Sequence, residues 1–134
     1  MNWMQYLTSQ SPPGLMLPVR LATTCRENSA AAIDDAVREL LDTFLDRNDC
    51  GASAVQLAIF TATGDLNTAK PAAAARRAGW TDTQFLCVAE MSTDDDVPLC
   101  LRVLLFVYRG RSAKPLKPVY LNGAHALRQD LVDD

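Results

Sequence analysis

Along this chain the spacing of apolar residues changes period several times, and each change marks an element. Residues 15–24, LMLPVRLATT, are an apolar run broken by one arginine, Arg20, and predict a first strand. Asn28 or Ser29 can cap a helix in which Ile33, Val37, Leu40, Leu41, Phe44 and Leu45 recur at intervals of three and four. Asp34, Asp35, Arg38, Glu39, Asp42 and Asp46 fill the remaining faces and read as a solvated surface. NDCGAS at 48–53 ends the helix, and AVQLAIFT at 54–61 predicts a second strand. A loop leads to a short alanine-rich helix that begins near Pro71 and stops at Gly79, with Arg76 and Arg77 placed to complement its dipole. Residues 85–89 predict a third strand, Asp94-Asp95-Asp96 a turn, and residues 99–108 a long fourth strand. The proline-rich RSAKPLKPVY then reads as an extended connection ending in a short apolar stretch, Val119-Tyr120-Leu121.

The order strand, helix, strand, helix, strand, strand is that of an α+β fold, a β-α-β-α-β-β mixed sheet packed by helices. Residues 1–16, with Ser11-Pro12-Pro13-Gly14, read as an irregular N-terminal extension, and residues 17–134 as a single domain. At 134 residues, 49% of them hydrophobic, the chain can bury one sizeable core.

Charge and cysteine usage narrow the chemistry. A net charge of -3 argues against nucleic acid as the partner, which usually shows as a basic patch on a basic domain. No apolar run approaches the roughly 18 residues that a membrane helix requires, and the first residues lack the features of a secretion signal. Cys25, Cys50, Cys87 and Cys100 form no C-x-x-C pair, and His125 is the only histidine. A zinc site, a disulfide framework and a histidine-activated nucleophile are therefore all disfavoured. No metal is expected, and reduced thiols point to the cytoplasm.

The anomaly is Arg102, alone in LCLRVLLFVY. A guanidinium keeps its charge in a protein, and burying it without an anion is costly. Glu90 at the end of the preceding segment, a bound anionic ligand, or solvent at a strand end are the three ways to satisfy it.

VRLATT with Arg20, the segment from Arg76 to Gly79-Trp80, Cys87-Val88-Ala89-Glu90-Met91, Cys100-Leu101-Arg102-Val103, Val119-Tyr120-Leu121 and Leu127-Arg128-Gln129-Asp130-Leu131 follow one another at characteristic spacing. In these six segments the chain resembles the chorismate mutases of the trimeric α+β class, over roughly residues 18–132. The resemblance implies a cofactor-free [3,3] rearrangement of chorismate, a small dicarboxylate, to prephenate. It also implies a homotrimeric pseudo-barrel with sites between subunits.

By the same resemblance Arg102 donates to the ether oxygen of the breaking bond, where negative charge develops in the transition state. Glu90 accepts from the ring hydroxyl and holds Arg102, with the Cys87 thiol beside that hydroxyl. A buried small hydrophobe is the other reading of Cys87. Arg20 and Tyr120 bind carboxylates, Arg76 and Arg128 stand at the mouth of the site, and Leu127 packs on the ring. The chain departs from the family pattern before the second helix, where Lys70 stands in place of an aromatic residue and Ala73 in place of a lysine. Lys70 is then a displaced substrate-binding cation. The departure keeps two alternatives open: a pericyclic mutase acting on a chorismate relative, such as an amino-substituted one, and a non-catalytic trimer that binds a small acid.

Overall fold

A computed structural model describes residues 14–128. Five strands form one mixed sheet: β1 (Gly14–Thr24), β2 (Val55–Ala62), β3 (Gln84–Ala89), β4 (Cys100–Gly110) and β5 (Val119–Tyr120), in the order β3-β2-β4-β1-β5. Two α-helices, α1 (Ala30–Asn48) and α2 (Pro71–Arg77), and two 3₁₀ turns, Ala52–Ala54 and Asn122–Leu127, complete the chain. The predicted elements are all present, and β5 adds a fifth strand to them. β1 begins at Gly14, one residue before the strand predicted from Leu15, so the boundary of the irregular extension drawn at residue 16 falls inside the sheet; residues 1–13 lie outside the described part.

Central β4 pairs antiparallel with β1 along its whole length, from Gly14↔Gly110 to Thr24↔Cys100, and antiparallel with β2 on its other side. β3 joins β2 in parallel, and β5 joins β1 in parallel. The β2–β3 pair requires a crossover, which α2 supplies.

Alternation along β4 divides the sheet into two unlike faces. Leu101, Val103, Leu105 and Val107 are buried, and with Leu21, Val55, Phe60 and Val119 they receive the apolar stripe of α1, Ile33, Val37, Leu40, Leu41 and Phe44. Ser29 caps α1 by accepting from the Ala32 amide at 3.1 Å. Arg77 ties α2 to α1 through Asp34 at 2.8 Å, while Arg38 reaches the same carboxylate and Arg26 pairs with Asp35. Part of the helix surface expected to be merely solvated is thus paired. The other sheet face carries Arg102, Leu104, Phe106 and Tyr108 and has no helix over it. On it Met16, Leu86 and Val88 stand 46%, 53% and 42% exposed.

Two local devices fix the ends of β4. Leu99, expected as its first residue, instead adopts a left-handed φ of 52° and lies outside the strand. Its amide donates to Asp65 Oδ2 at 2.9 Å and its carbonyl accepts from the Cys25 amide at 2.8 Å. At the far end Asn48, buried at the end of α1, donates Nδ2 to the Phe44 and Lys117 carbonyls and accepts from the Lys117 amide at 2.7 Å. Arg109 donates to the Asn48 and Lys114 carbonyls. Together they hold down the 111–118 connection that delivers β5. Asn48→Ala leaves the Lys117 groups without those partners and is expected to cost about 2–3 kcal/mol, read as a lower midpoint in urea denaturation.

Candidate active site

Every side chain on the uncovered face near Arg102 is set by register. Arg102 lies opposite Thr61 of β2 and Ala22 of β1, and Ala22 in turn lies opposite Tyr120 of β5. Partners across a sheet share a face, so Thr61, Arg102, Ala22 and Tyr120 form one row. Two residues further along, Ile59, Leu104 and Arg20 form the next row. A small residue on each side of Arg102 leaves space above the sheet, and a cleft of about 310 Å³ fills it. Ile59 and Leu104 contribute to its apolar lining, and Leu127 and Arg128 reach it from the C-terminal segment.

Glu90 is the anion that Arg102 requires. It follows β3, where its amide donates to the Ala62 carbonyl at 3.1 Å. Its Oε1 accepts from Arg102 Nε at 2.7 Å and from Thr61 Oγ1 at 3.2 Å. The Arg102 side chain is 44% exposed and that of Glu90 19%, so the pair opens to the cleft and is not sealed in the core. With Nε committed to Glu90, the Nη groups can serve a ligand. Arg20 and Arg128 line the cleft with Arg102 and Glu90, a set of cations that suits an anionic ligand.

Beneath Arg102, two residues back on the same strand, Cys100 is buried. Burial pushes its thiol above the ordinary range, and the neighbouring guanidinium partly offsets this. Cys25, also buried, has its thiol pushed up to about 11, chiefly by desolvation.

The cleft of one chain brings together Arg20, Glu90, Arg102, Tyr120, Leu127 and Arg128 among the residues singled out from sequence. Three others lie elsewhere. Cys87 is three residues from Glu90 on nearly extended backbone, which turns the two toward opposite faces, and the expected proximity of the two is not realised within one chain. Cys87 packs against the helix-side core and, with Lys70, lines a second pocket between the end of β3 and the loop before α2. Arg76 stacks its guanidinium 5.1 Å from the Phe85 ring centroid, a cation–π contact. Thr61 was not anticipated; its position as the last polar residue of AVQLAIFT, two after Ile59, is the signal that places it on this face.

Fold and cleft together define a small α+β protein that presents an anchored arginine and further cations to an anionic small molecule. The chain belongs to the chorismate mutase type I family, whose model matches residues 16–131. It is 35% identical over 114 residues to the chorismate mutase AroH of Thermus thermophilus, covering 84% of this chain and 93% of that one. To the AroH of Bacillus subtilis it is 29% identical over 114 residues, covering 84% and 90%. Among solved structures, a chorismate mutase from Clostridium thermocellum superposes with a TM-score of 0.77 at 36% identity, over 82% of this chain and 98% of that one.

The described cysteines are all unpaired. Iodoacetamide at about pH 8 is expected to leave Cys25 and Cys100 unmodified in the folded protein and to label both after unfolding, because burial and raised pKa both suppress the thiolate. Peptide mass mapping checks this.

Proposed function

We propose that this chain catalyses the rearrangement of chorismate to prephenate as an isomerase with no covalent intermediate. The observation that carries the reading is the Arg102–Glu90 pair in a cleft lined also by Arg20 and Tyr120, in a chain of this family. Chorismate carries two carboxylates, and its C–O bond breaks as a distant C–C bond forms within the same molecule. Electrons move around a ring of six atoms, and the ether oxygen gains negative charge on the way. A protein speeds such a step by holding the compact conformer and by placing fixed donors where that charge grows.

In this reading Arg102 donates from its Nη groups to the ether oxygen and to one carboxylate. Glu90 keeps that guanidinium aimed from below through Nε and accepts from the ring hydroxyl with Oε2, the oxygen not engaged by Arg102 or Thr61. Arg20 and the Tyr120 phenol take the carboxylates, Leu127 packs on the ring, and Arg128 draws the dianion in.

Lys70 and Cys87 belong to the same site through a neighbouring copy of the chain. Their pocket and the arginine cleft are separate in one chain, and the uncovered sheet face with Met16, Leu86, Val88 and Phe106 offers an apolar surface for assembly. A homotrimer that closes these faces into a pseudo-barrel brings the pocket of one subunit to the cleft of the next. Lys70, at the start of α2, then supplies the cation that Ala73 cannot, and Arg76 stands behind it on Phe85. Four free thiols fit a reducing cytoplasm, and no described helix is long and apolar enough to cross a membrane.

Loss of chorismate absorbance with prephenate as product tests the activity. Replacing Arg102 by citrulline, which keeps the shape and removes the charge, is expected to lower kcat by roughly 100- to 1000-fold with a far smaller change in KM. Equal losses in both would assign Arg102 to ground-state binding. Turnover of an amino-substituted chorismate in place of chorismate would move the substrate to that relative. In solution, the mass should be three times that of the 14.6 kDa chain by light scattering.

A further inference from the structure

The cleft wall formed by Leu127 and Arg128 is carried on a single 3₁₀ turn, so its placement depends on whatever seats that turn. Four contacts do so. The Leu121 amide donates to the Ala22 carbonyl at 2.9 Å, extending the β1–β5 pairing, and the Gly123 amide donates to Thr24 Oγ1 at 3.0 Å. Between them Asn122 holds a left-handed φ of 54°, a conformation asparagine tolerates better than most residues. Its Nδ2 donates to Thr23 Oγ1 at 3.0 Å and to Glu39 Oε1 at 3.1 Å, so one amide joins β1 and α1 beneath the turn. Thr23 is fully buried and lies next to Ala22, which occupies the row of Arg102 and Tyr120. Ala124, also fully buried, packs on Ala22 and Tyr120, and Leu127 packs on that cluster.

From this geometry we infer that Asn122 is a positioning residue for substrate capture: its bonds to Thr23 and Glu39 fix the seat from which Leu127 and Arg128 face the cleft. Asn122 is absent from the cleft lining and touches no reacting atom; it acts through the segment that follows it. The inference rests on the cleft being the substrate site. Gly123 belongs to the same seat, because a Cβ there would stand 3.0 Å from Thr24 Cγ2 and 3.1 Å from its Oγ1, so the side chain that receives the Gly123 amide would have to shift.

Steady-state kinetics on the full chain test it. Asn122→Gly keeps the left-handed backbone accessible while removing both bonds; it is expected to raise KM for chorismate roughly three- to tenfold with kcat within about twofold of the parent. Gly123→Ala should raise KM in the same direction, by disturbing the Thr24 side chain that holds the turn, and Glu39→Gln, which keeps an acceptor oxygen, should leave KM near the parent value. A merely structural role is separated by the Leu127→Ala/Arg128→Ala background: if Asn122 works through those side chains, Asn122→Gly adds no further rise there. An unchanged KM in Asn122→Gly, or an equal rise in both backgrounds, overturns the assignment. A folded parent protein that does not turn over chorismate sinks the functional reading itself, an outcome distinct from either.

Discussion

The register between β1 and β4 is the constraint on which the rest of the molecule depends. Eleven residues of each strand pair without interruption, from Gly14↔Gly110 to Thr24↔Cys100. A slip of one residue would turn every side chain of β4 to the other face, driving Arg102 into the core packed by α1 and lifting Leu101 and Val103 out of it. The buried set on one face therefore fixes the location of the charged set on the other. The devices at the strand ends, Asp65 holding Leu99 and Asn48 with Arg109 holding the connection to β5, protect that register where a sheet would otherwise fray.

The ion pair between Arg102 and Glu90 is a poor stabiliser and a good aiming device. Both side chains keep contact with solvent, and a pair so exposed contributes at most about 1 kcal/mol. Its geometry matters more: a short bond to Nε restrains the guanidinium plane while leaving its outer edge for another partner. Thr61 does the same for Glu90 from the neighbouring strand. Thr61 holds Glu90 and Glu90 holds Arg102, so the guanidinium is oriented before any ligand arrives, which is the condition under which fixed charge favours a transition state over a ground state.

Sequence carried the fold almost completely, because its signals are local. The helical stripe of α1, the cap at Ser29, the proline that opens α2 and the apolar runs of the strands all operate within a few residues of one another. Arg102 was legible for a different reason: an ion amid apolar residues demands a partner, and Glu90 was one of few within reach. What stayed hidden depends on contacts between distant segments. Leu99 leaves the strand because Asp65 and Cys25 claim its backbone, 34 residues away in the first case. β5 exists because β1 offers it an edge. The resemblance put the Cys87 thiol and Glu90 at one substrate hydroxyl, and the pleat of the strand sends the two to opposite faces of a single chain. The short tail segment carried no periodicity to suggest that Asn122, one polar residue in LNGAHAL, would bridge a strand and a helix.

That division between Cys87 and Glu90 also bears on why the molecule would assemble. A single chain holds an arginine cleft and, separately, a pocket with a thiol and a lysine, and it leaves an apolar sheet face without a helix over it. In the trimer proposed here one event resolves both features, since covering the apolar face also brings the pocket to a neighbour's cleft. Substrate bound between subunits would then stabilise the assembly by mass action, as any ligand does that binds the assembled form alone. In that assembly Arg102 would sit where these demands meet: near enough to an apolar interface for its charge to act at low effective dielectric, and near enough to Glu90 not to be stranded there.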